Sequence, residues 1–131
     1  LYQTKNIITH GFVDINSEKF KEILVNCAFI VFPSCSEGGC PSVITAIGNG
    51  ALIPVITKET TISTGYEIWI DNFTIEAIDK AINKALSLVN NEILDMQKKN
   101  LEYVLNNHSQ ENYYNELKKA YKEILDIKND L

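Results

Sequence analysis

The chain has 131 residues, 45% of them hydrophobic and 22% charged, which is the length and apolar content of one domain with its own core. A formal charge of −5 and a pI near 5.0, without any long basic run, argue against non-specific nucleic-acid binding, and no apolar run is long enough to span a bilayer. Cys27, Cys35 and Cys40 match no zinc, haem or dithiol spacing, so free thiols, a reducing compartment and a cytoplasmic location are expected.

In chain order, Asn6 to Val13 (NIITHGFV) is apolar and partly β-branched and predicts a strand. After a turn, Asn16 or Ser17 can cap a helix whose Phe20, Ile23, Leu24 and Cys27 share one face. The run from Ala28 to Phe32 lacks alternation, which predicts a strand buried on both faces of a parallel sheet. Pro33 and Ser34 end it, and a polar loop runs to Pro41. A short helix over Ser42 to Gly48 turns Val43, Ile44 and Ile47 inward, and Asn49-Gly50 suits its left-handed end. Ala51 to Ile56 is a second buried strand, in which Pro54 predicts an edge or a bulge because it lacks a ladder donor.

Thr57 to Gly65 reads as a polar loop and Tyr66 to Ile70 as a short strand. Thr74 is a helix cap, with Phe73 and Ile78 at the spacing of a hydrophobic staple. Ile75, Ile78, Ile82, Ala85, Leu86 and Val89 form the expected buried face, and Asn90-Asn91 breaks that helix. Ile93, Leu94, Leu101, Val104 and Leu105 belong to the next helix, interrupted by Asn106, Asn107 and His108. Ser109 caps a last helix with Tyr113, Leu117, Ala120, Tyr121 and Ile124 on one stripe; this stripe and Trp69 read as core.

Strands alternating with helices predict βαβ units, hence an α/β fold: a Rossmann-like parallel sheet flanked by helices, with a helical C-terminal tail. Three or four strands are few for a doubly wound domain, and the sequence begins at Leu1 without Met. Residues 1–131 are therefore expected to be a single truncated domain of a longer protein.

The chemistry concentrates in the loop after the Ala28–Phe32 strand. Ligands of open α/β sheets bind outside the carboxyl ends of the strands, and Glu37 sits there. The bland alternative is a solvated loop carboxylate. Gly38-Gly39 permits close approach of backbone to a ligand. The helix starting near Pro41-Ser42 turns its free amides toward the same loop, a natural anion site, and proline suits a first helical turn. A phosphate cradle beside a hydroxyl-accepting carboxylate points to a sugar phosphate or sugar nucleotide. Gly48-Asn49-Gly50 follows a helix and reads as a turn, His10 and His108 as structural, and no histidine is tied to Cys35 or Cys40 as a thiol nucleophile would need.

Phe32-Pro33-Ser34, then Glu37-Gly38, Pro41 and Ala46 to Gly50, preceded by Gly11-Phe12-Val13, carry a resemblance. From Asn6 to Ile56 the chain resembles the C-terminal, donor-binding domain of family-4 (group 1) GT-B glycosyltransferases, and beyond that it is similar in layout only. The resemblance implies one half of a two-domain enzyme that transfers a sugar, with retention, from a nucleotide-sugar donor (a UDP- or GDP-sugar) to a glycan or lipid-linked acceptor held by an N-terminal domain. It implies no metal and no cofactor, cytoplasmic polysaccharide biosynthesis, and is compatible with peripheral membrane association of the full-length protein. Glu37 would touch the transferred sugar, and the backbone after Gly38, at Gly39, Cys40, Ser42 and Val43, would hold the diphosphate. The loop containing Thr60, Thr61 and Ser63 would approach the nucleotide. Thr45 stands where the family has a second glutamate on the ribose, and the family's basic Arg/Lys pair has no counterpart, since the chain has no arginine. These departures keep open a binding or assembly module without donor chemistry, and, more remotely, a nucleotide-sugar epimerase.

Overall fold

A computed structural model describes residues 6–129. The elements are α1 (Glu18–Leu24), β1 (Phe29–Phe32), α2 (Pro41–Gly50), β2 (Ile53–Ile56), a 3-10 turn (Lys58–Thr60), β3 (Ile68–Trp69), α3 (Ile75–Leu86), α4 (Asn90–Asn107) and α5 (Gln110–Asn129). The three strands lie side by side in chain order and all run parallel. Phe29 to Phe32 pair with Ile53 to Ile56, and Val55 and Ile56 pair with Ile68 and Trp69. The fold is α/β, as the alternation of elements predicts.

Strand alternation sends successive β2 side chains to opposite faces. Ile53 and Val55, with Ile68 and Ile70, pack under Ala77, Ala81 and Ala85 of α3. Ile56 packs on the other face with Val43 and Ile47 of α2 and Val104 of α4. Helices therefore cover both faces of the sheet. Helix α4 spans the two layers, with Ile93 and Met96 against the first cluster and Val104 and Tyr103 against the second. Its buried Asn100 accepts from the Thr64 hydroxyl (2.6 Å) and donates to the Met96 and Tyr66 carbonyls (2.9 and 3.2 Å), so this polar group is satisfied inside. No helix among the described residues is long and apolar enough to cross a membrane.

Several local expectations are corrected. Residues 6–13 form no strand; Ile7, Ile8, His10 and Phe12 are exposed, and no ladder among the described residues pairs with their backbone. Helix α1, capped by Ser17, ends at Leu24, so Cys27 lies past its last turn and is exposed. β1 is the edge strand among the described residues; on its α3-facing side Phe29 packs against the α3 cluster, while Val31 is 44% exposed.

Pro54 is fully buried in the central strand, not at an edge or bulge. The Ile53 amide donates to Ala28 of the β1 side (2.9 Å), so by alternation the Pro54 nitrogen faces β3. Pairing with β3 begins only at Val55, so no ladder bond is lost. The left-handed residue after α2 is Ala51 (φ 52°), not Gly50. Gly50 is small for another reason: a Cβ there would lie 2.9 Å from Leu24 Cβ and would also strike Leu52.

Helix α3 buries its alanines, while Ile75, Leu86 and Val89 are exposed and Phe73 is about half exposed. Close approach to the sheet selects the small residues for the contact face. On α4, Leu94 and Leu105 are likewise exposed. Tyr113, Leu117, Tyr121 and Ile124 of α5 are exposed rather than core, whereas Trp69 and Tyr103 do pack into the second cluster.

Candidate functional site

In a parallel sheet all strands end on one edge, and there the β1–α2 loop meets the turn that follows β2. Thr57, fully buried, donates its hydroxyl to the Ser34 carbonyl (2.5 Å). The Thr60 hydroxyl donates to the Thr57 carbonyl (2.8 Å), which fixes the 3-10 turn. The Glu37 amide donates to the Glu59 carbonyl (3.2 Å), and the Ser34 hydroxyl donates to the Glu37 carboxylate (3.1 Å). Glu37 is thus half-buried and held from both backbone and side chain. One carboxylate oxygen is engaged by Ser34, which leaves the group further acceptor capacity for ligand hydroxyls.

The chain then turns into α2 through two positive-φ residues, Gly39 (φ 126°) and Cys40 (φ 41°). The left-handed region is costly for a residue with a Cβ, by roughly 1 kcal/mol or more, so Cys40 marks stored strain at this junction. Its side chain is fully buried in the second core cluster, with Sγ 3.7 Å from the Ser42 hydroxyl. No atom lies within 4 Å of the Cβ positions of Gly38 and Gly39, so the loop is open on that side.

The Val43 amide is committed to the Cys40 carbonyl (3.1 Å), and Pro41 has none to offer. Among the described residues the amides of Gly39, Cys40 and Ser42 have no partner, and they stand at the N-terminal end of a ten-residue helix. That end carries partial positive charge and suits an anion.

Thr45, half-buried on α2, lies with Gly39 along a cavity of about 600 Å³ whose other wall is the α4–α5 turn. Glu37 does not line this cavity. The sequence-predicted residues therefore fall into four places: Glu37 and Gly38 on the braced loop, Gly39 and Thr45 on the cavity, Ser42 exposed in the first turn of α2, and Cys40 and Val43 with their side chains in the core. Thr57 and the α4–α5 turn were not singled out in the sequence. A threonine directly after a continuous buried strand was the available signal for Thr57; the break at Asn106, Asn107 and His108 is legible as a turn, but nothing local ties it to the loop of Glu37.

Asp71 is held below the ordinary carboxylate range by its hydrogen bond and charge contact with Lys80 (2.9 Å), with a smaller attraction from Lys58 of the 3-10 turn, and Lys80 is raised in return. Lys99 is raised by Asp95 (2.6 Å). All three cysteines are free thiols, Cys35 exposed and Cys40 buried. Among the described residues no three His, Cys, Asp or Glu side chains converge to hold a metal ion. Comparison of the chain with protein-family models, with curated proteins and with solved structures gave no match.

Proposed function

We propose that this chain is the donor-binding part of a retaining glycosyltransferase, with a nucleotide sugar as donor and a glycan or lipid-linked acceptor held by a further domain. The observation that carries this reading is the pairing, at one sheet edge, of a braced carboxylate with a helix end bearing unpartnered amides. Glu37 accepts hydrogen bonds from the hydroxyls of the transferred sugar. The amides of Gly39, Cys40 and Ser42 take the diphosphate. Because the Thr57 and Glu59 contacts set these groups in advance, they meet the charge that builds on the leaving diphosphate without reorganising, the usual main source of catalysis in such transfers. The GT-B register of Pro33-Ser34, Glu37-Gly38 and Pro41 in the sequence supports the same assignment.

The test is titration of the protein with UDP- and GDP-sugars. A charged hydrogen bond is worth about 1.5–3 kcal/mol, so Glu37→Ala should weaken donor binding by roughly ten- to a hundredfold. Absence of any binding, or unchanged binding in Glu37→Ala, would overturn the reading. A second reading, a GT-B-like module that kept the scaffold and lost donor chemistry, is favoured by Thr45 at the position of the second acid. Sugar transfer by the full-length protein would exclude it.

A further inference from the structure

The cavity beside Thr45 has the size of a ligand site, and its far wall combines residues that hold the α4–α5 turn (Asn107, Ser109 and Asn112) with side chains that have no partner among the described residues. Tyr113 is 68% exposed. The side chains of Gln110 and Glu116 form no hydrogen bond or ion pair among the described residues, although both face the cavity. His108 ends α4, with its amide on the Val104 carbonyl (2.8 Å) and its ring against Tyr103 at 5.8 Å between centroids. That contact steadies the imidazole on the cavity rim. Two rings and two free polar side chains at the mouth of one cavity are the elements with which a protein holds a heterocyclic base: stacking faces and groups that read its edge.

The position adds a direction. A nucleotide sugar whose diphosphate lies on the Gly39–Ser42 amides must extend two ways. Gly39 and Pro41 of that junction also line the cavity, with Thr45 one turn further along α2, and Glu37 does not line it. We infer that the α4–α5 turn is the nucleoside-binding wall of the donor site, with Tyr113 and His108 as stacking faces and Gln110 and Glu116 as base-edge contacts. This rests on the donor-binding reading above and adds residues from a distant part of the chain to it.

The experiment is calorimetric titration of wild-type protein, Tyr113→Ala, Tyr113→Phe and His108→Ala with UDP, GDP and inorganic pyrophosphate, with circular dichroism confirming that each variant is folded. Tyr113→Ala should weaken UDP or GDP about tenfold, Tyr113→Phe should retain binding, and pyrophosphate affinity should be unchanged in every variant. If Tyr113→Ala and His108→Ala bind the nucleotides as wild type does while Glu37→Ala weakens a UDP- or GDP-sugar, the donor site stands and this wall is wrong. An equal loss for pyrophosphate and nucleotide overturns it too, since the substitution then acts through the fold. If wild type binds no nucleotide sugar at all, the donor reading falls, and the nucleoside wall falls with it.

Discussion

β1 and β2 are parallel neighbours of four residues each and almost equally apolar, yet they occupy different environments. Every residue of β2 is buried, whereas no residue of β1 is fully buried and Val31 opens to solvent. The loop that carries Glu37 leaves the more open strand, and its hydrogen bonds run to the turn that leaves the buried one. The candidate loop on the more open strand is thereby held by hydrogen bonds from its neighbour. Stability and site geometry are linked through β2 more than through the strand to which the site is covalently joined.

Val31 and Val55 test this contrast directly, because they are register partners on the same face and the same residue type. Val55 is fully buried beneath α3. Val55→Ala should cost about 2 kcal/mol, the removed methyls plus the gap they leave, while Val31→Ala should cost less than about 1 kcal/mol. Urea denaturation of the two variants measures both. Equal losses would break the comparison by showing that Val31 is covered in solution.

Thr57 comes next in size. Thr57→Val keeps the shape and removes the donor to the Ser34 carbonyl, with an expected cost of about 1–2 kcal/mol. Exchange of the Glu37 amide, bonded to Glu59, should accelerate in the same variant, and Thr57→Ser should restore protection. Protection unchanged in Thr57→Val would mean that the loop is held from its own strand after all.

β1, β2, β3 and the α2 helix were legible because continuous apolar runs and turn residues are local signals, although the same kind of run over residues 6–13 forms no strand. The environment of each strand was not. Nothing within Phe29–Phe32 says that α3 will cover β2 and leave Val31 open, and nothing within Ile53–Ile56 says that β3 will begin just beyond the proline. On α3 the isoleucines outweigh the alanines in any hydrophobic pattern, but the sheet is approached by the alanine face. Glu37 and the start of α2 could be read as a candidate site because all its parts lie within a few residues. Thr57, and the turn at His108 across the cavity from Thr45, join it only through tertiary contacts.

The smallest expected effect lies at the third strand's end, where Asp71 meets Lys80 in an exposed pair. Lys80 lowers the folded-state pKa of Asp71, so the unfolded chain takes up that proton first as the solution is acidified. The contribution is therefore present above the ordinary carboxylate range and is lost as pH falls through the depressed value. Asp71→Asn should leave a slightly shallower decline in urea midpoint between about pH 6 and about pH 3, and added salt should shrink the difference. Identical pH profiles at low salt would remove the pair from any role in folding. A decline as large as the loss in Val55→Ala would overturn the contrast drawn above, because an exposed ion pair at the rim would then rival burial under β2 as the support of this edge of the sheet.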